Sequence, residues 1–168
     1  MLTKLLTNLD INYLAKKIKL KDFHACVSKN VLRQLTPKLG SYIINLDDDD
    51  EIGLHWCAFI IYPTVVCYFD SYGLPPPSNL IRFAKRFLKN IRIIFSKDRI
   101  QHHHSVYCGY FCLYFIYFMT TKGSRNLKKP GLLLNIHNNN LYKSNSSIER
   151  KENDFVLKSL FAHIVDDV

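Results

Sequence analysis

The sequence predicts an α+β fold in a single domain spanning residues 1–168. Three observations predict it. Leu54 to Tyr62 and Val65 to Asp70 are short apolar runs rich in β-branched and aromatic residues, and Pro63-Thr64 between them reads as the turn of a hairpin. The run from Cys108 to Met119 is apolar all round, as a helix buried in a core is, and too short to cross a bilayer. Amphipathic stretches at helical spacing lie on either side of these segments.

Taken in order, Asn8 to Ile18 reads as a helix with Leu9, Tyr13, Leu14 and Ile18 on one side. Lys29 to Leu39 reads as a short helix stopped near Pro37, and Ser41 to Leu46 as a buried strand. Asp47 to Glu51 are consecutive acids, the pattern of a solvated loop. Pro75-Pro76-Pro77 closes the sheet region, and Ser78 caps a helix running to about Asn90. That helix sets Leu80, Phe83, Phe87 and Ile91 on one side and Arg82, Lys85, Arg86 and Lys89 on another. Ile91 to Phe95 reads as a further strand. Gly123 to Ser147 reads as an irregular surface segment. Ser146 or Ser147 caps a last helix with Val156, Leu157, Leu160, Phe161 and Ile164 facing inward.

Composition excludes disorder: 48% of the 168 residues are hydrophobic and 13% aromatic. The formal net charge of +9 points to a polyanion as one class of partner. The five cysteines are odd in number and unevenly spaced, which fits a reduced intracellular compartment better than a disulfide framework. Met1 to Asp10 lacks the continuous apolar stretch of a secretory signal, so it reads as the start of the fold.

The chemistry gathers around Cys108. A cysteine at the start of a buried helix meets unpaired backbone N–H groups and the positive end of the helix dipole, which favour a thiolate. Gly109 beside it leaves room for a close neighbour. Acyl transfer by a cysteine also needs an imidazole, a group to orient it and donors for an oxyanion. His55 opens the first strand of the hairpin and Asp70 ends the second, so pairing brings both to one end of the sheet. Gln101, seven residues before Cys108, offers a side-chain amide as oxyanion donor alongside the Cys108 N–H. Singly, His55 also reads as a core histidine, Asp70 as a turn former, Gln101 as a loop residue and Cys108 as a small core hydrophobe. As a set they read as a site. The three histidines His102 to His104 do not read as a metal site, because consecutive side chains splay apart and no cysteine pair lies nearby. They read as cleft-lining residues that could make the rate depend on pH near 6.

Three segments resemble the adenain-like maturation cysteine proteases of adenoviruses, virophages and Polinton-type elements. They are Gly53-x-His55-Trp56-x-Ala58-Phe59, Tyr68-Phe69-Asp70-Ser71-Tyr72-Gly73, and Gln101 followed after six residues by Cys108-Gly109-x-Phe111-Cys112. The resemblance runs weakly from Asp10 into the last helix, where Glu149 to Asn153 resembles the family's C-terminal segment. It implies a permuted papain-like fold of the adenain and SUMO-protease type, a mixed central sheet flanked by helices, with site order His, Asp, Cys. It implies Cys108 as nucleophile, His55 as base, Asp70 as orienting acid and Gln101 as oxyanion donor. It also sets Asn45, Trp56 and Gly109 on the substrate side. Adenain has Glu in the third place, so Asp70 is closer to the SUMO-deconjugating branch.

The function implied is a viral endopeptidase that processes capsid precursors after small residues, typically glycine, with no cofactor needed for the chemistry. The setting implied is intracellular, at a viral factory or nucleus and in the virion, as a monomer without membrane attachment. Activation by DNA or by a capsid-derived peptide would follow the family. Asn90 stands where the family's peptide-linking cysteine would be, which speaks against a disulfide-held activator. Arg82, Lys85, Arg86 and Lys89 are the candidate non-specific DNA contacts. Two other readings stay open at this point: a ubiquitin- or SUMO-like deconjugase, and a basic nucleic-acid-binding, capsid-associated protein with an inert site.

Overall fold

The computed structural model describes residues 5–48, 50, 55–95, 97–121 and 147–165. The expected surface segment from Gly123 onward lies almost wholly outside the described residues, as do Asp49 and Glu51 of the acidic run. The elements are α1 (Asn8–Lys17), β1 (Phe23–Ser28), α2 (Lys29–Leu32), β2 (Gly40–Asn45), β3 (Trp56–Ile61), β4 (Val65–Phe69), α3 (Ser78–Lys85), β5 (Arg92–Phe95), α4 (Cys108–Thr121) and α5 (Ser147–Val165).

The strands form one sheet in the order β1-β2-β3-β4-β5. β1 runs parallel to β2 and β4 parallel to β5, while β2, β3 and β4 pair antiparallel, so the sheet is mixed. The β3–β4 hairpin turns through Pro63-Thr64 and is closed by Tyr62 N–H donating to the Val65 carbonyl at 2.9 Å. Side chains alternate across the sheet. Trp56, Ala58, Ile60, Cys67 and Phe69 pack with α1, α4 and α5 on one face. Cys57, Phe59, Ile61, Val66 and Tyr68 pack with Leu32, Leu80, Phe83 and Ala84 from α2 and α3 on the other. Both faces are therefore covered, which is why β3 and β4 read as continuous apolar runs.

α4 lies against β3, between α1 and α5. Ten of its fourteen residues are buried, and this burial explains a helix with no polar face. Truncating one of its buried phenylalanines, such as Phe111 or Phe115, would cost about 3–5 kcal/mol.

Several expectations are corrected. α1 is held by a capping box between Thr7 and Asp10, and its buried face is Ile11, Leu14 and Ala15. Leu9 is 75% exposed and Tyr13 is also exposed, because the cap fixes the helix with those two turned outward. β1 was not anticipated: Phe-His-Ala-Cys-Val-Ser has only one fully buried position, so it carries a weak apolar pattern. α2 is a single turn ending at Leu32. Pro77, not Ser78, occupies the cap position of α3, and the helix stops at Lys85, five residues early. In α5, Leu157 and Phe161 are buried and Val156 partly so, but Leu160 is 45% exposed.

Candidate active site

The hairpin register builds the site. Ala58 pairs with Phe69, so one step further sets Cys57 opposite Asp70, and two more set His55 opposite Tyr72. The rings of His55 and Tyr72 lie 4.8 Å apart. His55 Nε2 donates to Asp70 Oδ2 at 3.0 Å. Asp70 is buried in a tight turn: its Oδ1 accepts from Tyr72 N–H at 2.6 Å, and its carbonyl accepts from Gly73 N–H at 3.0 Å. Gly73 has φ +74°, and a Cβ there would stand 2.5 Å from the Lys97 carbonyl oxygen, so only glycine fits the turn.

Cys108 is the first residue of α4 and is 2% exposed. Its side chain is close enough to the imidazole to hold the imidazolium form alongside Asp70. Burial acts on His55 first and lowers its pKa. The hydrogen bond to Asp70, the nearness of Cys108 and the charges of both together outweigh burial and push it up to about 9. With Nε2 committed to Asp70, the buried Nδ1 has no partner of good hydrogen-bond geometry and is the nitrogen left to exchange a proton with Cys108. Asp70 feels burial first, which raises its pKa. The His55 hydrogen bond and charge, the Cys57 thiol and the Tyr72 N–H oppose this and hold it below the ordinary carboxylate value.

Gln101 is fully buried on the loop that leads into α4. Its Oε1 accepts from Ser71 Oγ at 2.5 Å and its Nε2 donates to the Ser105 carbonyl at 2.8 Å. The second amide hydrogen takes no part in these two contacts. The loop is anchored from α5, where Asn153 Nδ2 donates to the Ile100 carbonyl at 3.0 Å. Asp154 hydrogen-bonds the Ser105 side chain and the His102 backbone, and burial pushes its pKa up to about 6.

The structure thus brings Cys108, His55, Asp70 and Gln101 to one end of the sheet. The residues expected on the substrate side serve other contacts. Asn45 ends β2, and its side-chain carbonyl accepts from Asp47 N–H at 2.9 Å. Trp56 is 5% exposed and its Nε1 donates to the Leu6 carbonyl at 2.9 Å. Gly109 lets α1 approach, since a Cβ there would meet Ile11 and Leu6 side chains at 3.2 Å.

Sequence reading missed Ser71, Cys57, Asn153 and Asp154. The hairpin register could have found Cys57; Ser71 and Asn153 lie in the family-like segments without a role being read from them, and nothing local marks Asp154. The rings of His102, His103 and His104 pack tilted against one another, with centroids 4.2 and 4.0 Å apart for neighbours and 5.7 Å for the outer pair. Among the described residues, the trio whose ligand atoms come together is His55, Cys57 and Asp70. Hydrogen bonds to Asp70 Oδ2 account for its two 3.0 Å contacts.

Of the basic stripe, Arg82 and Lys85 lie on α3, while Arg86 and Lys89 follow its end. The Arg86 guanidinium donates to the carbonyls of Arg33, at 2.6 Å, and Leu35, which commits it to the fold. Arg82 and Arg86 line a cleft of about 700 Å³ with Lys29 and Arg33 of the α2 region.

No family model matches the chain, and no curated protein matches it. Solved structures do. The crystal structure of the ASFV pS273R protease matches with a TM-score of 0.54 at 18% identity, over 90% of this chain and 66% of that one. The chain therefore spans just under two thirds of the ASFV enzyme's length. The central domain of the uncharacterized Lpg1148 protein from Legionella pneumophila matches with a TM-score of 0.51 at 14% identity, over 95% and 99% of the two chains. The SUMO protease Ulp1 is more distant, with a TM-score of 0.46 at 13% identity. At this level of identity the likeness concerns the fold. The chain has the α+β cysteine-protease fold, with a mixed sheet between helices.

Proposed function

We propose that the chain is a viral cysteine endopeptidase that processes capsid or virion precursors, cleaving after small residues of the glycine type. The observation that carries this reading is the convergence of Cys108, at the mouth of a buried helix, with the His55–Asp70 pair. In the proposed reaction the Cys108 thiolate attacks the scissile carbonyl carbon. The Cys108 N–H and the remaining Gln101 amide hydrogen receive the oxyanion. His55, protonated at Nδ1, gives that proton to the leaving amine, and a thioester remains. Water, deprotonated by His55, then hydrolyses the thioester and frees the thiol. Asp70 keeps the imidazole oriented throughout. All these groups come from the chain, so the chemistry calls for no cofactor. The fold shared with a protease of ASFV supports the viral setting.

The test is incubation with a candidate capsid precursor and, in parallel, with a ubiquitin-like modifier linked through diglycine. Cys108→Ala serves as the control. Defined precursor fragments made only by the wild type support the reading. Release of the modifier with the precursor untouched would replace it with a deconjugase. No turnover of either, with Cys108 inert to thiol-reactive peptide probes, would leave a binding protein. A DNA-binding role for the exposed Arg82, Lys85 and Lys89 is compatible with either enzyme and is favoured by the net charge of +9.

A further inference from the structure

We propose that Cys57 is a positioning residue, whose thiol proton fixes the Asp70 carboxylate so that it holds His55 in line with Cys108. The inference rests on the reading of Cys108 as nucleophile. Cys57 lies directly across the hairpin from Asp70 and on the same face of the sheet, as the register requires. Its Sγ donates to Asp70 Oδ2 at 3.0 Å, the same oxygen that receives His55 Nε2 at 3.0 Å. Tyr68 Oη approaches that oxygen from the same strand face at 3.4 Å. Cys57 is fully buried, and burial together with the Asp70 charge pushes its thiol well up, so the sulfur keeps its proton and remains a donor.

The choice of donor matters. Asp70 Oδ1 is held by Tyr72 N–H, but Tyr68 Oη reaches Oδ2 only at 3.4 Å, which leaves that oxygen loosely held beneath the imidazole. The closer contact from Cys57 fixes it there. A thiol is a weak donor, so it fixes the oxygen without displacing the charged imidazolium as the main partner. A valine or alanine at this position would fill space and fix nothing.

The groups that set the titration of the site are few. Facing His55 are Asp70, Cys108 and Tyr72. Facing Asp70 beneath it are Cys57 and Tyr68. Arg99 and Asp154 act on Tyr72 in opposite senses.

The test measures the rate of Cys108 alkylation by the anion iodoacetate, which reacts faster while the imidazolium beside the thiolate is charged, against pH, read by peptide mass mapping, in wild type, Cys57→Ala, Cys57→Val and Cys57→Ser. It needs no substrate. Wild type should show a reactive window whose alkaline limb follows His55. In Cys57→Ala that limb should move to lower pH by about half to one unit, a three- to tenfold change for one lost hydrogen bond. Cys57→Ser, which restores a donor, should bring the limb back, whereas Cys57→Val should behave as Cys57→Ala. If Cys57→Ala does not fold, the serine and valine variants carry the same comparison, with thermal melting as the check on folding. A wild-type window left unmoved by both Cys57→Ala and Cys57→Val overturns the positioning role alone. No pH-dependent window in the wild type overturns the nucleophile reading, and this inference with it.

Discussion

Ser71 and Gln101 meet side chain to side chain, the serine hydroxyl donating to the amide oxygen at 2.5 Å. This contact fixes which end of the amide faces which way. Oε1 is held by Ser71, so Nε2 must carry the donors, one to the Ser105 carbonyl and one left over. Gln101→Ala should lower kcat by roughly ten- to a thousandfold, the range for one lost oxyanion donor. Ser71→Ala leaves the amide in place but free to turn over, and should cost about three- to tenfold, the worth of one hydrogen bond. Steady-state cleavage of a short peptide checks both. An unchanged kcat in Gln101→Ala would reject the oxyanion role.

His55 and Asp70 set the pH range. His55 has a pKa raised to about 9, so the pair's stabilisation is complete below the ordinary imidazole value of 6.5 and fades as pH rises through 9. Asp70 is lowered, so its contribution is present above its ordinary value of 3.8 and is lost as pH falls through the lowered one. Activity should therefore extend to about pH 9 on the alkaline side. Asp70→Asn should pull that limb down toward 6.5. The melting-temperature gap between wild type and Asp70→Asn should be widest between about pH 4 and 6.5 and narrow toward 9. A gap that widens from pH 6.5 to 9 would contradict the assignment.

Cys108 and Cys112 sit one helical turn apart and should behave oppositely. Cys108→Ala should remove turnover and leave the melting temperature nearly unchanged, because its role is chemical. Cys112 is fully buried and its thiol donates to the Trp56 carbonyl at 3.3 Å. Cys112→Ala should lower stability by about 1–3 kcal/mol and preserve peptide cleavage in the folded fraction. Comparable cleavage by Cys108→Ala would refute the nucleophile.

Much of this arrangement was legible because local sequence dictated it. The hairpin is written in two apolar runs about Pro63-Thr64, and it alone fixes His55 and Asp70 at one end. Cys108 was legible because a uniformly apolar helix has a definite start. What escaped depends on contacts distant in sequence. Ser71 is thirty residues from Gln101, and Asn153 is fifty-three from Ile100. β1 is a strand because β2 offers it a parallel partner, although its own pattern is weak. The buried face of α1 was misjudged because large side chains at Leu9 and Tyr13 outweighed the smaller Ala15, whereas the Thr7–Asp10 cap decides the rotation. Trp56 matched a family residue, but its indole hydrogen-bonds the Leu6 carbonyl.

The basic stripe yields a test in which one of its members serves as an internal contrast. Arg82, Lys85, Arg86 and Lys89 are all exposed, but Arg86 is also tied to the Arg33 and Leu35 carbonyls and links α3 to the segment after α2. If the stripe binds DNA, it does so through phosphates and without sequence preference, so affinity should fall with salt at a log–log slope of about −0.9 per neutralised phosphate. Replacing Arg82, Lys85 and Lys89 together with Gln should flatten that slope by up to about three phosphates' worth and leave peptide cleavage without DNA unchanged. Arg86→Gln should instead lower the melting temperature, because it leaves two backbone carbonyls without their donor, and should change the slope least. Binding of a short duplex measured from low to moderate salt decides between these outcomes. Equal slopes for the triple variant and wild type would return Arg82, Lys85 and Lys89 to the role of a solvated face.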